Sequence, residues 1–144
     1  MSKIMVVGAV GAGKSTILAA LRGNVKDVKK TQVIEFGAQT VDTPGEYIEN
    51  PRFYRALLST ALQVDYVLFV QDATSDRSVF PPGIGQLFPG YSVGIITKVD
   101  HPEANVERAK GLLHHLALKG KGEVFEVSAL AGDGLEELKQ RLEL

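Results

Sequence analysis

Short unbroken apolar runs alternate along this chain with segments whose apolar residues recur every three to four positions. Lys3 to Val7 (KIMVV) is an apolar run that stops at Gly8, the form of a strand buried on both faces. Lys14 to Arg22 puts Ile17, Leu18 and Leu21 on one side of a helix, with Gly23 as its C-terminal stop. Gln32 to Phe36 and Gln39 to Val41 predict two short strands about Gly37, with a single strand plus loop as the alternative. Phe53 to Gln63 sets Tyr54, Leu57, Leu58, Ala61 and Leu62 at helical spacing, and Asp65 to Val70 is a second buried strand. Asp72 to Pro89, rich in Pro, Gly, Ser and Asp, accommodates at most one short helix around Ile84 to Leu87. Tyr91 to Ile96 is a third buried strand. The helix after it can begin at Pro102 and carries Val106, Ala109, Leu113 and Leu116 inward. Glu123 to Val127 is the last strand. The final helix has Asp133 as N-cap with Glu136 at capping-box spacing, and Leu135, Leu138 and Leu142 on one face.

Strand and helix alternate throughout, which selects an α/β fold with a mainly parallel sheet covered by helices on both faces. Ligands of such sheets bind at the carboxyl ends of the strands, so functional motifs are expected just after a strand. The chain has 144 residues, shows no repeat or Pro/Ser-rich linker, and reads as one domain over residues 1–144.

Charge and composition narrow the partners. Lys plus Arg total 16 against 17 Asp plus Glu, so no basic excess is available for a nucleic-acid backbone. Aromatic residues make up 7% and are not interleaved with basic ones, which also disfavours base stacking. The absence of cysteine excludes disulfides, thiol catalysis and thiolate metal sites. The apolar start is too short to span a bilayer and has no plausible cleavage site, and the C-terminal QRLEL has neither a cysteine to prenylate nor a basic cluster, so no membrane partner is expected and the chain reads as cytoplasmic.

Three motifs fall where an α/β sheet would use them. Gly8-Ala9-Val10-Gly11-Ala12-Gly13-Lys14-Ser15 matches GxxxxGK[ST] between a buried strand and a helix. Its glycines let successive amides converge, the helix adds its positive end, and together they cradle a phosphate, with Thr16 completing the first turn. Lys14 would bridge β- and γ-phosphates, and the Ser15 hydroxyl would ligate Mg²⁺. Asp42-Thr43-Pro44-Gly45 supplies DxxG: Asp42 at a strand end can hold a metal-bound water, and the Gly45 amide can sense a γ-phosphate. Alone, this tetrapeptide would be an ordinary turn. Thr97-Lys98-Val99-Asp100 resembles the NKxD element of GTP-binding proteins with Thr in the Asn position. The Asp100 carboxylate can accept two hydrogen bonds from guanine, whose edge presents adjacent donors where adenine presents none. Lys98 can lie over the purine, and Ser128, Ala129 and Leu130, after the last strand, could offer a backbone amide to the guanine oxygen. Thr97 is shorter than Asn, so a weaker brace for this loop, and a less secure guanine selectivity, are expected.

In this order the motifs resemble small GTPase-like proteins of the translation-factor-related P-loop class. KTQVIEF (Lys30 to Phe36) and VDTPGEYIENPRFYRALL (Val41 to Leu58) resemble the EutP/PduV family of ethanolamine and propanediol utilisation, associated with bacterial microcompartments. The resemblance implies a Ras-like P-loop NTPase fold and places Thr31 at the switch-one position, where its hydroxyl would complete the Mg²⁺ shell when the γ-phosphate is present. Lys14, Thr31 and Gly45 would then be the groups at the reacting phosphate, and Ser15, Thr31 and Asp42 those at the metal.

Departures from the signalling GTPases bear on turnover. Glu46, and not Gln, follows Gly45, and a carboxylate there would be repelled by the γ-phosphate. Gly11 stands where some GTPases place a potassium-holding Asn, and Val10 adds bulk that could obstruct an arginine finger from a partner. Slow hydrolysis is the expectation. Arg52, Arg55 and Arg77 could act in cis, although surface positions are the usual fate of Arg. His114 and His115, adjacent on a helix, cannot both face one ligand and are expected in solvent. Lys26, Lys29 and Lys30 form a small basic cluster near the nucleotide entrance.

Three functions follow from these readings: a Mg²⁺-GTP/GDP switch; an ATP-using metabolic phosphotransferase, since an acetate kinase activity has been attributed to the EutP branch; or a nucleotide-bound scaffold at a microcompartment shell.

Overall fold

The computed structural model describes residues 3–21, 35–36, 40–43, 45–118, 122–128, 132 and 134–142. The apolar run near the start forms β1 (Ile4–Gly8), every residue of which is buried. Its alternating side chains feed two separate cores. Met5 and Val7 join Phe69, Leu57, Ile48, Ile96 and Leu113 on one face, and Ile4 and Val6 join Ile17, Leu18, Leu68, Ile95 and Leu138 on the other.

The remaining strands are β2 (Glu35–Phe36), β3 (Thr40–Asp42), β4 (Tyr66–Asp72), β5 (Tyr91–Thr97) and β6 (Val124–Glu126). They form one six-stranded sheet in the order β2-β3-β1-β4-β5-β6. All pairings are parallel except β2 with β3, so the expected α/β P-loop fold is the one observed, with a single antiparallel edge. The chain leaves β1 to build one side of the sheet and later crosses to build the other. The carboxyl end of β1 is therefore the point where strand order reverses.

Helices α1 (Lys14–Leu21) and α5 (Leu135–Leu142) cover one face, while α2 (Gly45–Glu49), α3 (Tyr54–Ala61) and α4 (Val106–Leu112) cover the other. The paired strands about Gly37 and the short helical turn at Ile84–Gln86 agree with the apolar pattern. Two local readings need correction. Leu62 is 75% exposed, because α3 ends at Ala61 and Leu62 lies beyond the packed stripe. The helix after β5 starts at Val106, not Pro102: the Asn105 side chain accepts from the Arg108 amide, a better cap than the Pro alone provides. The segment from Gly45 to Glu49, to which the apolar pattern assigns no element, is a helix, followed by a turn at Pro51–Phe53 capped by Asn50. Gly23, Asp133 and the Lys26, Lys29 and Lys30 cluster lie outside the described residues.

α4 continues into a wider turn, Leu113–Ala117, in which the Leu118 amide reaches the Leu113 carbonyl at 2.8 Å. The extra residue brings Leu113, Ala117 and Leu118 all inward. His115 is exposed as expected, but His114 is half-buried and its Nδ1 makes no hydrogen bond among the described residues.

Phe69, fully buried on β4, packs edge-on to Phe80 at 5.4 Å and against Phe88 at 5.7 Å. Those two rings seal the irregular Asp72–Pro89 segment onto the sheet. Phe69→Ala is expected to cost about 3–5 kcal/mol in urea-induced unfolding, and a loss below about 1 kcal/mol would contradict this packing.

Candidate functional site

The loop from Gly8 to Ser15 leaves β1 at the reversal point and enters α1 directly. Gly11 and Gly13 have φ of +80° and +99°, values that L side chains seldom adopt, so the coil depends on glycine at both positions. Inside it the Ala12 amide bonds to the Ala9 carbonyl at 3.1 Å, and the Ile17 amide to Gly13 at 2.9 Å starts the helix. The first turn of α1 contains no acidic residue, so the helix places no carboxylate of its own at its positive end. Lys14 is 7% exposed, and its Nζ donates to the Ala9 carbonyl at 2.8 Å, which folds the ammonium back over the loop.

The end of β5 grips this loop. Thr97 Oγ1 donates to the Ala12 carbonyl at 2.6 Å, so the shorter side chain still braces the loop: Thr97 is only 3% exposed and lies close enough for a hydroxyl to span the gap. Lys98 takes a left-handed backbone, φ +60°, uncommon outside glycine. That turn sends its ammonium back to the Gly11 carbonyl at 2.9 Å and to Asp72 Oδ2 at 2.8 Å. Burial alone would raise the Asp72 carboxyl, but the Lys98 ammonium and the Thr74 hydroxyl and amide outweigh it and hold the group below its ordinary value.

Thr97, Lys98, Asp100 and Ser128 line a cleft of about 150 Å³ together with Gly13 and Thr16. Residues from β5, α1 and the end of β6 thus meet in one place, as their motifs predict. On the far side of the loop, Gly45 at the start of α2 backs onto Val10: a Cβ there would overlap the Val10 amide and come within 2.7 Å of its Cα. Thr43 Oγ1 donates to the Val6 carbonyl at 2.7 Å, and Asp42 stands beside Val6 in the β1–β3 register. Ser15, at the mouth of α1, and Asp42, at the end of β3, provide hydroxyl and carboxylate oxygens, a hard donor set suited to Mg²⁺. Thr31, Ala129 and Leu130 lie outside the described residues.

The family model for "Ethanolamine utilisation - propanediol utilisation" matches residues 1–144. This chain belongs to that PduV-EutP family. Among its relatives, the "Probable acetate kinase EutP" of Salmonella typhimurium is 40% identical over 89% of this chain and 80% of its own length. The "Propanediol utilization protein PduV" of Citrobacter freundii is 35% identical over 96% and 91%. A solved structure of translation elongation factor SelB from Methanococcus maripaludis, in complex with the GTP analogue GppNHp, superposes with a TM-score of 0.68 at 25% identity, covering 99% of this chain and 33% of that one.

Two features of this PduV-EutP member went unread in its motifs. Asp72 has no motif of its own; it closes β4 and stands opposite Thr97 in the β4–β5 register, a neighbour the sequence does not mark. The abutment of Gly45 on Val10 carries no local sequence mark at all.

Thr97→Val keeps the shape and strands the Ala12 carbonyl, so it is expected to lower stability by about 1–2 kcal/mol in denaturant titration, whereas Thr97→Ser should recover most of that. The Asp72–Lys98 pair makes a second prediction. A carboxyl held low in the folded protein contributes stability above the ordinary carboxylate range and loses it as pH falls through the folded pKa. Asp72→Asn should therefore be less stable than the wild type by about 0.5–1 kcal/mol near neutrality, with the gap closing in acid. A gap independent of pH would refute the assignment.

Proposed function

We propose that this PduV-EutP protein, read as one nucleotide-binding domain over residues 1–144, binds GTP and GDP with Mg²⁺ and turns GTP over slowly, as a switch in ethanolamine or propanediol utilisation. The observation that carries the proposal is the tie between the two motifs: the Thr97 hydroxyl on Ala12 and the Lys98 ammonium on Gly11 join the glycine loop to the cleft that holds Asp100. A phosphate cradle and a base pocket built as one body suit a nucleoside phosphate better than either suits a lone anion.

In this mechanism the amides of Gly11, Ala12, Gly13, Lys14, Ser15 and Thr16 converge on the phosphates after the tight exit at Gly8, and Lys14 swings from Ala9 to bridge the outer two. Ser15, Asp42 and Thr31 would hold the metal, which would supply charge neutralisation along the polyphosphate. Asp100 accepts from the guanine edge, Lys98 covers the ring, and the backbone at Ser128, Ala129 and Leu130 meets the guanine oxygen. The Gly45 amide senses the terminal phosphate, and because Gly45 abuts Val10, a group entering there must push α2 away. Glu46 offers no neutral amide to orient water, which supports slow hydrolysis.

Among the described residues no helix is long and apolar enough to cross a membrane. The site calls for neither nucleic acid nor lipid; a cytoplasmic place, with a microcompartment shell or another protein as the switch's partner, is part of the proposal. The name of the Salmonella typhimurium relative supports a second reading, in which ATP donates its terminal phosphate to a small carboxylate.

Lys14→Ala is expected to weaken triphosphate binding by about 3 kcal/mol in calorimetry, as a charge-assisted contact is lost. Asp100→Asn should trade GTP for xanthosine triphosphate, because a carboxamide donates where the carboxylate accepted. Unchanged GTP affinity in both variants would reject this site. Formation of acetyl phosphate from ATP and acetate at a rate above GTP hydrolysis would instead select the phosphotransferase.

A further inference from the structure

The glycine loop has two differently built ends, and they give a bound polyphosphate a direction. The cleft with Asp100 opens at Gly13. At the opposite end, Lys14 Nζ sits on the Ala9 carbonyl and Gly45 abuts Val10. A phosphate-loop lysine addresses the outer phosphates, so the terminal one belongs beside Ala9 and Val10.

That end has its own cleft, about 80 Å³, between Val10 on one wall and Gln71, Asp72, Ser75 and Arg77 on the other. The main chain at Arg77 is strapped down. Its carbonyl accepts from Gln71 Nε2 at 2.9 Å and from Ser75 Oγ at 3.2 Å, and its amide donates to Ser75 Oγ at 3.2 Å. Gln71, 4% exposed at the end of β4, anchors the strap in the sheet, and Val79 and Phe80 bury the chain just beyond it. The side chain is treated differently: Arg77 is exposed, and its guanidinium makes no hydrogen bond or ion pair among the described residues. The nearby Asp72 carboxylate is occupied by Lys98. The backbone is thus fixed while the charge is left available. Arg52 and Arg55 are also exposed, but neither lines this cleft, and Arg52 lies over the Phe53 ring at 5.6 Å.

We propose that Arg77 is this chain's own cation for the terminal phosphate, the residue by which it tells a nucleoside triphosphate from a diphosphate. The assignment rests on the nucleotide reading above. It also gives Val10 a place in the design: a branched side chain, 48% exposed, would narrow the approach for an arginine from outside, while Arg77 lines the same cleft as Val10 from within the chain.

Calorimetry with GDP and with a non-hydrolysable GTP analogue, at low and high salt, tests it on the wild type, Arg77→Ala and Arg77→Lys. Arg77→Ala is expected to lose about tenfold in affinity for the triphosphate analogue and to leave GDP affinity unchanged, with Arg77→Lys recovering part of the loss. Salt should erode the triphosphate preference of the wild type more than that of Arg77→Ala. Thermal unfolding should be unaltered in both variants, because the straps are made by the main chain. Equal losses for both nucleotides, or none, would overturn the assignment. A wild type that binds neither nucleotide overturns the nucleotide reading and Arg77 with it. A wild type that binds both, loses them on Lys14→Ala and keeps its triphosphate preference in Arg77→Ala leaves that reading standing and removes Arg77 alone.

Discussion

The site depends on one short hydrogen bond across the top of the sheet, from the Thr97 hydroxyl to the Ala12 carbonyl. A glycine-rich loop has many conformations available to it, and ordering it costs more entropy per residue than ordering any other kind of chain. The cost falls when a buried side chain from another strand takes hold of the coil in its middle. Thr97 does this from an almost fully buried position, and Lys98 adds a second grip on the adjacent carbonyl. A left-handed residue at Lys98 is tolerated because its side chain is tied at two points, to the loop and to Asp72. The end of β5 thus fixes both the glycine loop and the mouth of the cleft lined by Asp100, and β4 is joined to the same body through Asp72.

Much of this was legible in the chain. Three of the six strands appear as apolar runs because they lie between two layers of helices, and that arrangement needs neither turn statistics nor relatives to be read. β2 and β3 were located by the polar breaks around Gly37, and their pairing was not readable because two or three residues hold no periodicity. The glycine loop was legible from its spacing and its place between strand and helix. The DxxG segment was recognised for its chemistry, yet its helix was not: Gly45 begins α2, and a helix of five residues gives too few turns for an apolar stripe to be visible.

The errors share a cause. Leu62 has the right spacing for a buried face, but the helix ends one residue earlier, so the pattern continued past the element that would have buried it. Pro102 marks a permitted helix start, while the observed start follows the better cap at Asn105. Thr97 was judged by side-chain length, when the gap it has to span is set by tertiary packing, and its hydroxyl reaches the Ala12 carbonyl at 2.6 Å. In each case a tertiary distance decided what local spacing left open.

The shortness of β6 has a consequence for how this protein meets others. Among the described residues one flank of the sheet ends in β6, with three residues. So little exposed ladder there gives an incoming chain almost nothing to template on, and self-association by strand addition on that flank is disfavoured. Company on that side has to be recruited through side chains, whose chemistry can be selective, and not through the indiscriminate adhesiveness of bare main chain.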